Sequence, residues 1–318
     1  THRATLSGSV GDRIQTMTEW NASEYARISE LQQAMAEEVL SLLDLKGPKH
    51  ILDVGCGNGK ITAEIASRVP QANVLGVDSS ADMIAFASTN FGPTVRSNLR
   101  FEIADARRLP FREEFDLVVS FNALHWIHEQ DEALRSIRSV MRPDGVAQLR
   151  LVPAGECKSL ENVIEETRLS SGWVRYFQEF SDPYLHLTPE QYGKLAERNG
   201  LHVCRINTEA KAWDLKSRSA FLAFGSVTFV EWTRFIPEAE RLAFVAMSLI
   251  ATGSWRPINR AKRIPSSFIR WMSPFRRDCS SASRFALEIA ARSRGKHDQP
   301  AARCCAMARA SGWAVCAS

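Results

Sequence analysis

The 318-residue chain lacks the features of several common protein classes. It contains no run of about 18 apolar residues, so no membrane-spanning helix is predicted. Its first sixteen residues lack the apolar centre of a secretory signal peptide. Met17 reads as a natural start, so we interpret residues 1–16 as a leader or an added sequence. Because neither a signal peptide nor a membrane-spanning helix is predicted, we expect a cytoplasmic protein.

The cysteines show no metal-binding pattern. Four of the seven lie between Ala246 and Ser318, with no C-x-x-C pair and no histidine at ligand spacing, which argues against zinc. His125, His128 and Glu129 are close in sequence, but two histidines three positions apart without further ligands do not define a metal centre. We expect no bound metal and reduced thiols.

A net positive charge is confined to the C-terminal part of the chain. Residues Ala246–Ser318 carry 13 Lys and Arg against 3 Asp and Glu, a net charge of +10, whereas the whole chain carries +4. The preceding residues are therefore acidic overall. A tail rich in Arg, Ser and Ala with little periodicity is typical of a poorly ordered segment, so we expect no nucleic-acid-binding surface.

Glycine is concentrated in one informative stretch, Ile51–Lys60. A buried-strand pattern runs into Asp53-x-Gly55-x-Gly57-x-Gly59, and a helix pattern begins at Ile61. This spacing is one residue too short for the dinucleotide fingerprint G-x-G-x-x-G. The P-loop also fails, because Lys60 is followed by isoleucine. The stretch predicts a strand, a tight turn with exposed backbone N–H groups, and the free N-terminus of a helix.

Further strands end in polar residues. They are predicted at Asn73–Asp78, Leu99–Ala106 and Phe115–Asn122, with a fifth after the turn 142–146. Strands that alternate with helices imply a doubly wound, mainly parallel α/β sheet, which binds ligands at the carboxyl ends of its strands. Asp78 could accept both hydroxyls of a ribose or cap the helix that follows it, and both roles stay open.

These elements resemble the class I methyltransferases, which bind S-adenosylmethionine (SAM) on a Rossmann-like sheet and release S-adenosylhomocysteine. The resemblance of the cofactor motifs covers residues 50–151 and implies that Asp105 accepts a hydrogen bond from the adenine amino group. The cofactor-binding residues implied are Tyr25, Asp53, Gly55, Cys56, Gly57, Asp78, Ser79, Met83, Asp105, Ala106, Asn122 and Ala123.

The segment before the glycine stretch narrows this resemblance. Trp20-Asn21-x-Ser23-x-Tyr25 precedes a predicted amphipathic helix, Ile28–Leu45, and Asn122-Ala123-Leu124-His125-Trp126 follows strand four. Over residues 17–245 the chain is similar to the juvenile hormone acid and trans-aconitate methyltransferases, which make methyl esters of small carboxylic acids. The similarity implies that Gln32 and Trp126 hold the substrate carboxylate.

Three functions remain open at this point. A carboxylic acid is already ionised at neutral pH and needs no general base, so neutral donors that orient it would suffice. Alternatively, His125 could act as a base for an amine, hydroxyl or carbon acceptor. The third is a SAM-binding protein that has lost catalysis. Nucleic-acid methylation is disfavoured, since Phe121-Asn122-Ala123-Leu124 stands where an Asn/Asp-Pro-Pro-Tyr/Phe motif would be expected.

The expected organisation is a methyltransferase domain over residues 17–245 with a cofactor core over 50–151, preceded by an N-terminal helix. A helical substrate lid is expected over 158–200 and 216–240. The aromatic stretch Ala220–Ile236 is either core packing or a lid over an apolar acid. Arg175 or Arg234 could serve a second carboxylate. The expected partner is a small acid, and the expected state is a monomer or a homodimer.

The last part of the chain departs from the family pattern. The family closes its sheet with a seventh, antiparallel strand between strands five and six. After Val245 the best candidate is Ser266–Trp271, and the pattern there is weak. We therefore interpret residues 246–318 as a basic, atypical tail that reads as foreign to the family, as translation in a shifted frame would produce.

Overall fold

The computed structural model describes residues 36–154, 159–211, 218–251 and 284–293. These ranges contain a seven-stranded sheet in the order β3-β2-β1-β4-β5-β7-β6, in which β1 to β5 are mutually parallel. The strands are β1 (His50–Val54), β2 (Asn73–Asp78), β3 (Leu99–Ile103), β4 (Phe115–Phe121), β5 (Met141–Leu151), β6 (Leu201–Lys211) and β7 (Arg284–Ser293). The predicted doubly wound α/β fold is confirmed.

Helices flank this sheet. They are α1 (Lys60–Arg68), α2 (Ala81–Phe91), α3 (Gln130–Val140), α4 (Leu160–Leu169), α5 (Pro189–Arg198), α6 (Arg218–Thr228), α7 (Val230–Thr233) and α8 (Glu238–Ala251), with 3₁₀ turns at Ala106–Arg108, Leu124–Trp126 and Val174–Tyr176. Of the predicted helix Ile28–Leu45, residues 36–41 are helical, and 28–35 lie outside the described residues. Within the described ranges, every helix is too short or too polar to cross a membrane.

The central strand β1 explains why the sheet is buried on both faces. Leu52 pairs with Leu75 of β2 and with Val118 of β4. Successive side chains of a strand point to opposite faces, so Leu52 packs with α3 and α5, whereas Ile51 packs with α1 and α2. The run of apolar residues in β1 therefore serves two hydrophobic clusters, and the polar ends of the strands are left at one edge.

The C-terminal part of the chain supplies the seventh strand. Strand β7 is antiparallel to both β5 and β6 and lies between them. The expected position of this strand was wrong: the structure has it at Arg284–Ser293, and Ser266–Trp271 lies outside the described residues. The backbone groups of β6 find their partners in β7, which removes the cost of unpaired buried amides. The boundary at residue 245 stays a prediction, but α8 crosses it and β7 lies beyond it.

A third hydrophobic cluster forms a helical cap, which we define as α4, the Val174–Tyr176 turn and α6 to α8. Phe229 and Trp232, from the predicted aromatic stretch, are both completely buried in this cluster. The Trp232 ring lies 5.3 Å from that of Tyr184 and 6.0 Å from that of Phe229, centroid to centroid. These two aromatic residues therefore pack inside the cap, as the core-packing interpretation expected.

Candidate active site

The glycine stretch forms a left-handed turn between β1 and α1. Gly55, Gly57 and Gly59 have φ angles of 76°, 54° and 79°, a region that favours glycine. At Gly55 there is also no room for a side chain, because a Cβ atom would lie 2.3 Å from the Cβ of Ala123. The two segments thus approach each other closely.

Hydrogen bonds to strand β2 hold this turn in place. The N–H groups of Gly55 and Cys56 donate to the Val77 carbonyl at 2.8 and 3.0 Å. The N–H of Gly57 donates to the Asp78 carboxylate at 2.9 Å. Asp78 is thereby held at the carboxyl end of β2 with its carboxylate beside the turn.

Asp78 does not cap α2 by itself. Ser80 is the N-cap, and its hydroxyl accepts from the Met83 N–H at 3.3 Å, while Asp78 accepts from the Ser80 N–H at 2.9 Å. Each carboxylate oxygen can accept more than one hydrogen bond, so Asp78 retains acceptor capacity for a ligand. Burial raises the pKa of Asp78, and backbone hydrogen bonds to the ionised form offset part of this effect.

Asp53 is the most enclosed acid of the site. Its side chain is 3% exposed, and the hydroxyl of Thr62, in α1, donates to it at 2.7 Å. Burial raises the pKa of Asp53 to about 7, the Thr62 hydrogen bond lowers it, and the charge of Asp78 raises it. A buried acid whose pKa is raised this far is a candidate functional residue.

Asp105 belongs to a surface network that the sequence did not predict. The Arg107 guanidinium donates to both oxygens of Asp105 at 2.7–3.0 Å, and its Nη1 donates to Glu129 at 3.0 Å. The Arg107 hydrogen bonds hold the pKa of Asp105 below its usual range. Arg107 follows a predicted strand end and could have been suspected, whereas nothing in the sequence links Glu129 to Asp105.

Strand β4 ends in a bend that carries Trp126. Asn122 has a φ of 57°, rare for a residue other than glycine, and its N–H donates to the carbonyl of Arg150 at 2.8 Å. The chain then makes the 3₁₀ turn Leu124–Trp126. The Trp126 ring lies 4.1 Å from the ring of Tyr184, centroid to centroid, and lines the cleft.

His125 points away from the cleft. Its ring is 2% exposed and is not part of the cleft wall. Nδ1 accepts from the Val152 N–H at 3.4 Å, and the ring stacks on Tyr184 at 5.2 Å with an interplanar angle of 13°. This placement supports a structural role for His125 and argues against the general base considered from the sequence, because the ring does not line the cleft.

The elements enclose a cleft of about 650 Å³ at the carboxyl edge of the sheet. Of the predicted site residues, all that fall within the described ranges line it except His125, and Tyr25 and Gln32 lie outside those ranges. Those that line it are Asp53, Gly55, Cys56, Gly57, Asp78, Ser79, Met83, Asp105, Ala106, Asn122, Ala123 and Trp126.

The helical cap contributes polar residues to the cleft wall, of which only Arg234 was a candidate from the sequence. Cap residues Glu231 and Arg234 line the cleft, together with Pro183. The Arg234 guanidinium pairs with Glu231 at 3.0 Å. Arg175, the other arginine considered for a second carboxylate, is 64% exposed and does not line the cleft. Among the described residues there is no cluster of three or more metal-ligating side chains.

Comparisons with known proteins agree with this geometry. Residues 51–145 match the methyltransferase domain family. Trans-aconitate 2-methyltransferase of Deinococcus radiodurans is 31% identical over 232 residues, which cover 70% of this chain and 83% of that protein. Malonyl-[acyl-carrier protein] O-methyltransferase of Geobacter sulfurreducens is 36% identical over 143 residues, which cover 44% of this chain and 53% of that protein.

A solved structure shares the fold. Phosphoethanolamine N-methyltransferase 2 of Haemonchus contortus, in complex with phosphomonomethylethanolamine and S-adenosylhomocysteine, superposes with a TM-score of 0.51 at 17% identity, covering 81% of this chain and 52% of that one. The chain belongs to the class I SAM-dependent methyltransferases. It is an enzyme of that class, and SAM is its cofactor. The glycine turn, which leaves no space for a Cβ at Gly55, and the spare acceptor capacity of Asp78 fit this cofactor.

Proposed function

We propose that the protein transfers the methyl group of SAM to the carboxylate of a small organic acid and so makes a methyl ester. The observation that carries this proposal is the placement of Trp126 and His125. The neutral indole lines the cleft, whereas the imidazole next to it is buried and turned away. A carboxylate acceptor needs an orienting donor and no base, and the indole can supply that donor.

In this proposal, the acids at the strand ends bind different parts of the cofactor. Asp78 accepts from the ribose hydroxyls, and Asp105 accepts from the adenine amino group. The turn Gly55–Gly57, whose N–H groups are already bonded to Val77 and Asp78, would lie against the remaining part of the cofactor. Bound SAM supplies an electrophilic methyl group on a positively charged sulfur, which also attracts an anionic acceptor.

Catalysis is then mainly a matter of positioning. The indole N–H of Trp126 donates to one carboxylate oxygen, and Gln32, whose role stays a prediction, donates from its side-chain amide. Neutral donors orient the acceptor without neutralising it as a close arginine would. Holding two reactants in a near-attack geometry can be worth roughly 7–11 kcal/mol of the barrier.

The wall opposite the sheet informs the choice of acid. The sequence favoured an apolar acid because of its aromatic stretch, but Phe229 and Trp232 of that stretch are buried within the cap. The cap residues that reach the cleft include Glu231 and Arg234. This favours an acid with a second polar or anionic group near Arg234. The name of the Deinococcus relative, a trans-aconitate methyltransferase, is consistent with this choice.

A labelling experiment tests the proposal. The protein is incubated with methyl-labelled SAM and fatty, terpenoid or tricarboxylic acids, and the label that mild alkali releases as methanol is counted. We expect alkali-labile label, strongest with a polyacid, and less preference for the polyacid in Arg234→Gln. Stable label on an amine or hydroxyl panel, or no label although calorimetry shows SAM binding, would overturn the ester proposal and favour one of the two alternative functions.

A further inference from the structure

The turn that carries Trp126 is held from beneath by a buried amide. Gln130, the first residue of α3, is 3% exposed. Its Nε2 donates to the carbonyl oxygen of Ile127 at 2.8 Å and also to that of Leu124. Both hydrogens of the amide are thus directed at the backbone on either side of Trp126.

A tyrosine fixes the orientation of this amide. The hydroxyl of Tyr192, in α5, donates to Oε1 of Gln130 at 2.8 Å, and the tyrosine is 1% exposed. Burial raises the pKa of Tyr192, so the phenol stays neutral and keeps its proton. Because a hydroxyl proton pairs with the amide oxygen, the NH₂ group of Gln130 must face the turn.

The turn is also held by other contacts from outside it: the Leu185 N–H donates to the His125 carbonyl oxygen at 2.9 Å, and the Val152 N–H donates to the His125 ring at 3.4 Å. It is a single 3₁₀ turn, a geometry with weak hydrogen bonds, and Ala123 separates it from the left-handed Asn122. The backbone N–H groups of Trp126 and Ile127 donate within the turn itself, to Ala123 and Leu124, each at 3.0 Å. The position of the indole relative to the sheet therefore depends on contacts from outside the turn.

We infer that Gln130 is a positioning residue for the methyl transfer. It acts through the Leu124–Trp126 turn and sets the place of the indole N–H in the cleft, and Tyr192 holds it in the productive orientation. This inference rests on the proposed function, in which Trp126 orients the acceptor carboxylate. A displacement of about 1 Å at a positioning group can cost on the order of 100-fold in rate.

The first measurement reads the indole directly. The protein is labelled with 5-fluorotryptophan, the ¹⁹F resonance of Trp126 is assigned from its loss in Trp126→Phe, and Gln130→Met and Tyr192→Phe are compared with the unsubstituted protein. We expect the Trp126 resonance to shift or broaden in Gln130→Met and, to a smaller extent, in Tyr192→Phe. Should Gln130→Met not fold, Tyr192→Phe, which keeps the ring, still decides the question.

The matched control is Gln191→Met. Gln191 precedes Tyr192 on α5 and serves the capping box of that helix, where its side chain accepts from the Thr188 N–H at 2.8 Å. The same change there removes a structural hydrogen bond without touching the turn. We expect it to lower Tm but to leave the Trp126 resonance in place.

The second measurement separates positioning from stability. With the best acid of the labelling panel, we expect kcat to fall about 100-fold in Gln130→Met and to stay within twofold in Gln191→Met, with SAM affinity unchanged in both. An unmoved Trp126 resonance in folded Gln130→Met and Tyr192→Phe overturns the inference. If no acid is methylated, the proposed function fails, but the resonance still decides whether Gln130 positions Trp126.

Discussion

The proposed function divides the cleft into a cofactor half and an acceptor half, which are built in different ways. The cofactor half consists of consecutive backbone atoms at the end of β1 and of single acids at neighbouring strand ends, such as Asp53 and Asp78. The acceptor half joins Trp126, which follows β4, to Arg234 of the cap, far away in the sequence. Backbone geometry tolerates little change, whereas side chains on a separate cap can be exchanged. We therefore expect substitutions that displace the backbone of the first half to abolish SAM binding and substitutions in the second half to change the preference for the acid.

The largest expected effect is at Gly55. A valine there would collide with Ala123, where even a Cβ has only 2.3 Å, and would also have to adopt a φ of 76°. We expect Gly55→Val to abolish SAM binding measured by calorimetry. Gly57→Ala is the control, because nothing lies within 4 Å of its added Cβ and only the strain of a left-handed residue, roughly 1–2 kcal/mol, remains. Equal losses in both variants would contradict the close-approach explanation.

The next largest effect separates the two halves. Trp126→Phe keeps an aromatic ring against Tyr184 but removes the indole N–H. We expect kcat for the acid to fall about 100-fold, as happens when one positioned donor is lost, and SAM affinity to stay within about twofold. Initial rates with saturating SAM and calorimetry measure the two quantities. A parallel loss of SAM binding would show that Trp126 belongs to the cofactor half.

A smaller effect concerns the buried acid of the cofactor half. Burial raises the pKa of Asp53 from 3.8 to about 7, so its contribution to stability is fully present below pH 3.8 and is lost as the pH rises through about 7. Between these values the folded protein without SAM should lose about 1.4 kcal/mol per pH unit through this group. Asp53→Asn, which cannot ionise, should escape this loss.

Urea unfolding at pH 5 and pH 7 checks the sign. The free energy of unfolding of Asp53→Asn should gain on that of the unsubstituted protein as the pH rises. Asp131→Asn is the control: the Arg198 hydrogen bond lowers the pKa of Asp131, so its contribution is present at both pH values and is lost only in acid. If the free energy of unfolding of Asp53→Asn falls relative to that of the unsubstituted protein between pH 5 and pH 7, the assigned direction is contradicted.

The smallest effect is expected at the exposed end of the cofactor half. Arg107 and Asp105 are each 41% exposed, and such ion pairs contribute roughly 0–1 kcal/mol. Arg107→Gln frees the acceptors of Asp105 for the adenine amino group, so we expect SAM affinity to rise about threefold. Glu129→Gln, which leaves the Asp105–Arg107 pair intact, should change nothing. A loss of affinity in Arg107→Gln would show that the guanidinium supports the cofactor.

Much of the cofactor half could be predicted from the sequence. The glycines Gly55, Gly57 and Gly59 permit a tight turn with positive φ, and a parallel sheet brings the ends of its strands to one edge. Both are local or topological rules, and the described residues predicted to bind the cofactor do line the cleft at that edge. The position of the seventh strand was not predictable in this way, since the pairing of β7 with β5 and β6 is a long-range contact that no local pattern announced.

The sequence by itself determined the α/β order, the glycine turn and the acids at the strand ends, because each follows from the period of apolar residues and from the steric freedom of glycine. Only the tertiary structure decided that His125 is buried while Trp126 lines the cleft, and that Arg234, rather than Arg175, lines it. Of two adjacent residues, one can be buried and the other can line a cleft when a bend such as that at Asn122 redirects the chain. Which side chains reach a cleft depends on packing between elements that are distant in the sequence, and no local sequence pattern encodes that packing.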